Sequence, residues 1–268
     1  RALLGRAAAE LGVVAHGVAA RPRALRLRRP RVGLYQSWVP SMDEGWTRFV
    51  FDKQAVVDYE TLHDADLQRG GLRRRFDAIV LPSQSPSEML NGHVAGTMPD
   101  QYAGGLGAHG VAALRAFVEE GGTLVALDAA SSFAIRNLGL PVTEAPGASG
   151  PPSGDFFCPG AILEASIDPA SPLGHGLPAR SPVWFESSPA FEAPEGTVVA
   201  RYSSENPLLS GWLVGGSRIN AKAALVNLPY GRGRVVLFGF RPQYRAQSWA
   251  TYIPLLNALY LSAATPDR

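Results

Sequence analysis

Four short apolar runs set the main limit on how this chain folds: Val32-Gly33-Leu34-Tyr35, Ala78-Ile79-Val80-Leu81, Thr123-Leu124-Val125-Ala126-Leu127 and Val235-Val236-Leu237-Phe238. None alternates apolar with polar residues, so each reads as a strand buried on both faces. Helical patterns lie between the first three and after the third. Asp43-Glu44 precede a helix containing Trp46, Phe49 and Val50, the acids standing where a helix dipole favours them. Ala108 to Glu120 has apolar residues at 111, 114, 117 and 118 and is stopped by Gly121-Gly122, and Ala129 to Leu138 follows Asp128. A second strand is expected over Val57 to Leu62, and a short helix or turn around Leu67 and Leu72. Strands alternating with helices imply an α/β fold with a mostly parallel sheet covered on both faces.

Beyond Pro141 the composition changes. Pro141 to Gly160 is rich in Pro, Gly and Ser and reads as a surface excursion. Strands are expected at Ala161 to Ile167, Val183 to Glu186, Thr197 to Tyr202, Ala223 to Leu228 and Arg234 to Phe240. They form a β-rich extension that rejoins the sheet. Trp249 to Leu261 closes the chain as an amphipathic helix with Tyr252, Leu255, Leu256 and Leu259 on one face. Ligands of such folds bind beyond the carboxyl ends of the parallel strands. That rim would collect Gln36, Ser37, His63, Asp64, Ser83 to Ser85 and Asp128.

The 268 residues, 46% hydrophobic and 18% charged, describe a soluble globular protein, and no apolar run approaches the roughly 20 residues of a membrane helix. The formal charge is +2, yet six arginines lie between Arg21 and Arg31; taking those six away leaves −4 for the rest. Pro22 and Pro30 bracket the tract and no aromatic residue interleaves it, so it reads as a solvated linker and not as a nucleic-acid site. Residues 1–30 are therefore expected to be the tail of a preceding domain plus this linker, with the main domain over 31–268. The start at Arg1 suggests a segment of a longer protein. Five tryptophans, Trp38, Trp46, Trp184, Trp212 and Trp249, suit apolar contacts.

Several motifs invite chemical readings that their surroundings weaken. Gly105-Leu106-Gly107-Ala108-His109-Gly110 matches the dinucleotide glycine pattern and has Asp128 at the end of the next strand. It follows Thr97 to Tyr102, which is no strand, so a flexible glycine loop is expected. Among the five histidines, His16, His63, His93, His109 and His175, the nearest to a spaced ligand pair is His63 with Asp66. Zinc catalysis needs about three protein ligands, and a solvated His63 is expected. Cys158, the single cysteine, lies beside Phe156 and Phe157 and reads as partly buried. Ser131 and Ser132 lack the flanking glycines of a nucleophile elbow and suit capping or packing.

The strand order and strand ends resemble the class I glutamine amidotransferase fold, a flavodoxin-like three-layer sandwich. In that family a cysteine nucleophile follows one strand, and a His-Pro-Glu motif follows another. Ala126-Leu127-Asp128-Ala129-Ala130 stands at the first position and Phe240-Arg241-Pro242-Gln243 at the second. The resemblance thus puts Asp128 at the cysteine, Arg241 at the histidine and Gln243 at the glutamate. Arginine does not release its proton and Gln243 cannot hold an imidazolium, so a degenerate triad follows, in which Asp128 and Arg241 pair instead.

A closer resemblance spans most of the chain. Ser41 to Arg48, Gly96 to Pro99, Tyr102 to Gly107, Asn206 to Trp212 and Gly231 to Gln247 look like the amidotransferase-like C-terminal domain of bacterial zinc carboxypeptidases of the carboxypeptidase A-like superfamily. It implies an exported, periplasmic or extracellular parent whose zinc-bearing peptidase domain precedes this segment. The segment itself would hold no cofactor, since the His-x-x-Glu zinc motif is absent from it. Its role would be that of a non-catalytic accessory domain that supports the peptidase domain or presents peptide substrate to it. The alternative is a ligand-binding or hydrolytic pocket, with Arg241 and Asp128 at its centre. There Arg241 would hold a carboxylate or phosphate while Ser83, Gln84 and Ser85 supply neutral hydrogen bonds.

Overall fold

The computed structural model describes residues 2–12, 14, 16–17, 19, 24–145 and 155–266. Arg21 and Arg23 of the basic tract, and 146–154 of the excursion, lie outside the described residues. Helices are α1 (Ala2–Leu11), α2 (Met42–Phe49), α3 (Asp64–Gln68), α4 (Leu72–Arg75), α5 (Pro86–Asn91), α6 (Gly107–Glu119), α7 (Ala129–Leu138) and α8 (Tyr252–Leu261). The main strands are β1 (Val32–Tyr35), β2 (Tyr59–Leu62), β3 (Ala78–Leu81), β4 (Thr123–Leu127), β5 (Phe157–Ile167), β6 (Arg180–Phe185), β7 (Val198–Tyr202), β8 (Leu208–Val214), β9 (Ala223–Tyr230) and β10 (Gly233–Phe238).

Five of these strands run parallel in the order β2-β1-β3-β4-β10. That is the flavodoxin-like order, and its switch point falls between β1 and β3. β9 continues the sheet antiparallel to β10, followed by β7, β5 and β8, and β6 pairs with β5. The apolar runs are buried throughout β1, β3 and β4 and over Val235–Phe238, as strands covered on both faces must be. One core cluster combines Val32, Val80 and Val125 with Phe185, Tyr202 and Leu255, and a second packs Ile79 and Leu124 against Leu114, Phe117 and Phe133. The two clusters are the two sides of one sheet.

Three parts of the chain depart from the sequence reading. The basic tract is not wholly a solvated linker. Asp77 is fully buried and accepts hydrogen bonds from Arg28 at 2.8 and 2.7 Å, from Arg31 through its backbone and guanidinium, and from Arg73 at 3.1 Å. Burial alone would raise the Asp77 carboxyl, but the bonds from Arg28 and Arg31 hold it well below the usual range. Leu25–Arg26 also pairs with Thr265–Pro266, so residues 25–31 pack with the domain.

The end of the excursion belongs to β5, which begins at Phe157, four residues before the expected strand. A register irregularity against β8 between Trp212 and Val214 falls opposite this part of β5 and accommodates Pro159 there. β8 itself was not expected, because most of its residues are exposed and its sequence carries no core pattern. Finally, α2 runs on into a π-helical stretch, Val50–Ala55, ended by Val56 at φ 48°, which delays β2 to Tyr59.

Candidate functional site

The carboxyl ends of β1, β3, β4 and β10 carry the candidate residues. Asp128 joins β4 directly to α7 with φ 51° and ψ −120°, a conformation sparsely populated by non-glycine residues and costing on the order of 1–3 kcal/mol. It is the sharp strand-to-helix turn that exposes a nucleophile in hydrolase elbows. Here the residue on the turn is an aspartate, and it is 2% exposed. Ser83, at the end of β3, donates from Oγ to Asp128 Oδ2 at 2.7 Å and accepts from the Ala129 N–H at 3.3 Å.

Arg241 follows β10 and lies in contact with Asp128, Nε to Oδ2 3.2 Å. It also faces Asp43 at 3.2 Å and Glu186 at 2.7 Å, so one guanidinium meets three carboxylates. Burial would lower its pKa, but Asp128, Asp43 and Glu186 outweigh that and raise it. The Trp184 indole N–H donates to Glu186 at 3.1 Å, and the Trp184 carbonyl accepts from the Arg241 N–H at 3.1 Å. Although Asp43 pairs with Arg241, burial together with Asp128 and Glu186 pushes its carboxyl up to about 7. Its Oδ1, Asp128 Oδ1 and Arg241 Nε are buried without a well-aligned hydrogen bond.

Gln243 does not join this cluster. Its side chain is fully buried and its Nε2 donates to Thr47 Oγ1 at 3.0 Å and towards the Asp43 carbonyl at 3.4 Å, which ties β10 to α2. The expected binding set is divided in the same way. Gln84 donates to the Val39 carbonyl at 3.0 Å, and Ser85 caps α5 through Glu88. Around Arg241 carboxylates outnumber cations, since Asp43, Asp128 and Glu186 all contact its guanidinium.

At the switch point the loop 36–41 folds over the strand ends. Trp38 stacks on His63 at 3.9 Å, and the Trp38 carbonyl lies 3.2 Å from His93 Nε2. Ser41 Oγ donates to the Ser83 carbonyl at 2.9 Å. What remains is a cavity of about 140 Å³ lined by Tyr35, Gln36, Ser37, Ser41, Glu44 and Gln84, below the roughly 300 Å³ at which small-molecule sites begin. His63 is therefore a half-buried stacking partner held to the Gln36 carbonyl at 2.8 Å, and not a solvated side chain.

The remaining motifs are structural. α6 starts at Gly107 after a loop, and Gly105 packs on Met89 and Gly92 of the α5 end. Ser131 Oγ donates to the carbonyls of Ala126 and Phe238, inside the core. Cys158 is buried, and desolvation raises its thiol to about 11. Among the described residues no group of His, Cys, Asp and Glu is arranged to hold a metal ion. Asp43 and Glu186 are not recognisable in the sequence as partners of Arg241. Asp43 carried the signal of a helix-start acid and Glu186 that of a strand end, and nothing local ties either to residue 241.

No family model matches the chain, and no curated protein matches it. Solved structures do. A cytoplasmic protein from Salmonella typhimurium is similar with a TM-score of 0.52 at 15% identity, over 88% of this chain and 99% of its own. A GMP synthase-like protein from Thermoplasma acidophilum gives 0.53 at 12% identity over 88% and 95%. PurLQS from Thermotoga maritima gives 0.52 at 14% identity over 87% and 98%. These define the class of the fold: a flavodoxin-like α/β domain of the glutamine amidotransferase type. At such identities the likeness is one of fold alone.

Proposed function

We propose that the chain is a non-catalytic, amidotransferase-like accessory domain with a degenerate triad. One observation carries this reading: the residue on the elbow, Asp128, is buried and bonded to Ser83 and Arg241, while the position of the general base holds an arginine. Arginine keeps its proton at any ordinary pH, so it cannot activate a nucleophile or pass a proton to a leaving amine. The cavity beside the loop 36–41 at the switch point is also small, about 140 Å³ against the roughly 300 Å³ at which small-molecule sites begin.

The domain would serve a zinc metallocarboxypeptidase, supporting a peptidase domain that precedes it in the same polypeptide or presenting peptide substrate to it, in the periplasm or outside the cell. The motif resemblance of Ser41 to Arg48, Asn206 to Trp212 and Gly231 to Gln247 supports this part. Zinc would belong to the peptidase domain, as the motif resemblance implies. The test is the coding sequence upstream of Arg1 and the activity of its full-length product. A His-x-x-Glu motif with chelator-sensitive carboxypeptidase activity is expected. A full-length product lacking both overturns the assignment to a peptidase.

One observation favours a second reading, a hydrolytic or ligand-binding pocket around Asp128 and Arg241. The Asp43 carboxyl, pushed to about 7, sets a group that takes up or releases a proton near neutral pH beside Asp128. With three carboxylates around one guanidinium, such a pocket would take a cationic or neutral ligand. Stabilisation of the chain by amines, abolished in Asp128→Asn, would support it.

A further inference from the structure

Outside the elbow, the end of β6 and the segment leading into α8 enclose a cleft of about 460 Å³, inside the roughly 300–1,000 Å³ range of small-molecule sites. Trp184 and Trp249 flank it, with Tyr244 stacked on Trp184 at 4.2 Å and Ile162 and Pro182 completing the apolar wall. This lining is open: Trp249 is 68% exposed and Ile162 38%. Gly160 lies beneath Trp184, where a Cβ would stand 3.1 Å from the indole ring, so the bare backbone seats the ring close to the sheet.

The polar rim selects the charge of the ligand. Arg245 lines the cleft, is exposed, and has no carboxylate partner among the described residues; its guanidinium lies 5.4 Å from the Tyr244 ring centroid. Gln247 and Ser248, beside it, likewise make no side-chain hydrogen bond among the described residues. The turn Trp249–Thr251, which leads into α8, lines the same cleft. Glu186, the nearby carboxylate, is engaged by Arg241 and the Trp184 indole. Arg245 and Ala246 both hold positive φ, 48° and 54°. Two adjacent non-glycine residues in that region cost on the order of 1–3 kcal/mol each, and strain of this kind clusters at ligand clamps.

We propose that this cleft binds the carboxylate of an apolar or aromatic residue, presented as a peptide C-terminus or as a free N-acylated amino acid. The side chain lies against Trp184 and Trp249, and the carboxylate meets Arg245, Gln247 and Ser248. Binding there requires neither Asp128 nor a peptidase partner.

The test titrates the full chain with N-acetylphenylalanine, its amide, and an alanine pentapeptide ending in phenylalanine with a free or an amidated C-terminus. Tryptophan fluorescence and calorimetry read the binding. The free acids should bind about tenfold or more tightly than the amides, as a charge-assisted contact implies. Arg245→Met should erase that preference while keeping binding at the level of the amide, and Trp249→Ala should weaken acid and amide alike. Both side chains are exposed, so both variants should keep the wild-type circular dichroism. A pentapeptide that outbinds the N-acyl amino acid identifies the peptide terminus as the ligand, and equal affinities identify the free acid. Equal binding of acid and amide, no binding of either up to the order of 10 mM, or an acid preference that survives in Arg245→Met overturns the proposal.

Discussion

Replacing Asp43 by asparagine should change how the stability of this protein depends on pH, and the structure sets both the sign and the size. The Asp43 carboxyl stands near 7 in the folded chain against an ordinary value of 3.8, because burial and the neighbouring Asp128 and Glu186 outweigh Arg241. A group whose folded pKa is raised stabilises fully below its unfolded pKa, and that contribution is lost as pH rises through the folded value. Between about pH 4 and pH 7 the native state holds one proton more than the unfolded chain. Stability therefore falls there by about 1.4 kcal/mol per pH unit, or about 4 kcal/mol over the window. Asparagine cannot titrate and removes this term. Urea unfolding at pH 4.5, 6 and 8 measures it, with the wild-type slope m as the check that the unfolding transition is unchanged. Relative to wild type, Asp43→Asn should gain stability steadily with pH and level off above about pH 7. Parallel profiles for the two proteins would refute the claim that a carboxyl is held protonated beside the elbow.

Other predictions concern the scaffold. Asp77→Asn leaves Arg28, Arg31 and Arg73 without their shared partner. It should cost about 2–3 kcal/mol at pH 7 in urea unfolding, below the usual figure for a broken buried pair because Arg28 and Arg31 are half-exposed. The folded Asp77 carboxyl is depressed, so its contribution is present above the unfolded value and the deficit should narrow as pH falls below about 4. Gly92→Ala places a Cβ 1.7 Å from the Gly104 carbonyl oxygen and should cost about 3 kcal/mol or more. Gly96→Ala, also at positive φ but with open space around it, should cost about 1 kcal/mol in the same assay.

Most of the parallel half of the fold was legible because β1, β3, β4 and the end of β10 are buried on both faces, and continuous apolar runs such as Ala78–Leu81 say so without help from the tertiary structure. β8 was not, since an exposed edge strand whose inward neighbours are small, Gly211 against Ala161, shows no pattern until β5 is beside it. Arg28 and Arg31 read as solvent-loving because nothing local reveals that Asp77, forty-six residues beyond Arg31, is a buried carboxylate awaiting them. At the elbow, the placement of Asp128 and Arg241 came from their following strands β4 and β10, which pair in register from Thr123 with Arg234 to Leu127 with Phe238. The roles of Asp43 and Glu186 came from long-range packing, and only the folded chain brings these two acids to residue 241.

Whether the elbow is catalytically silent is decided by ammonia release from glutamine by the purified chain, with ester and peptide substrates alongside, in wild type and Asp128→Asn. No turnover above buffer is expected for either protein, since the elbow is buried and its neighbour is a permanent cation. Turnover by the wild type that Asp128→Asn abolishes would contradict this expectation.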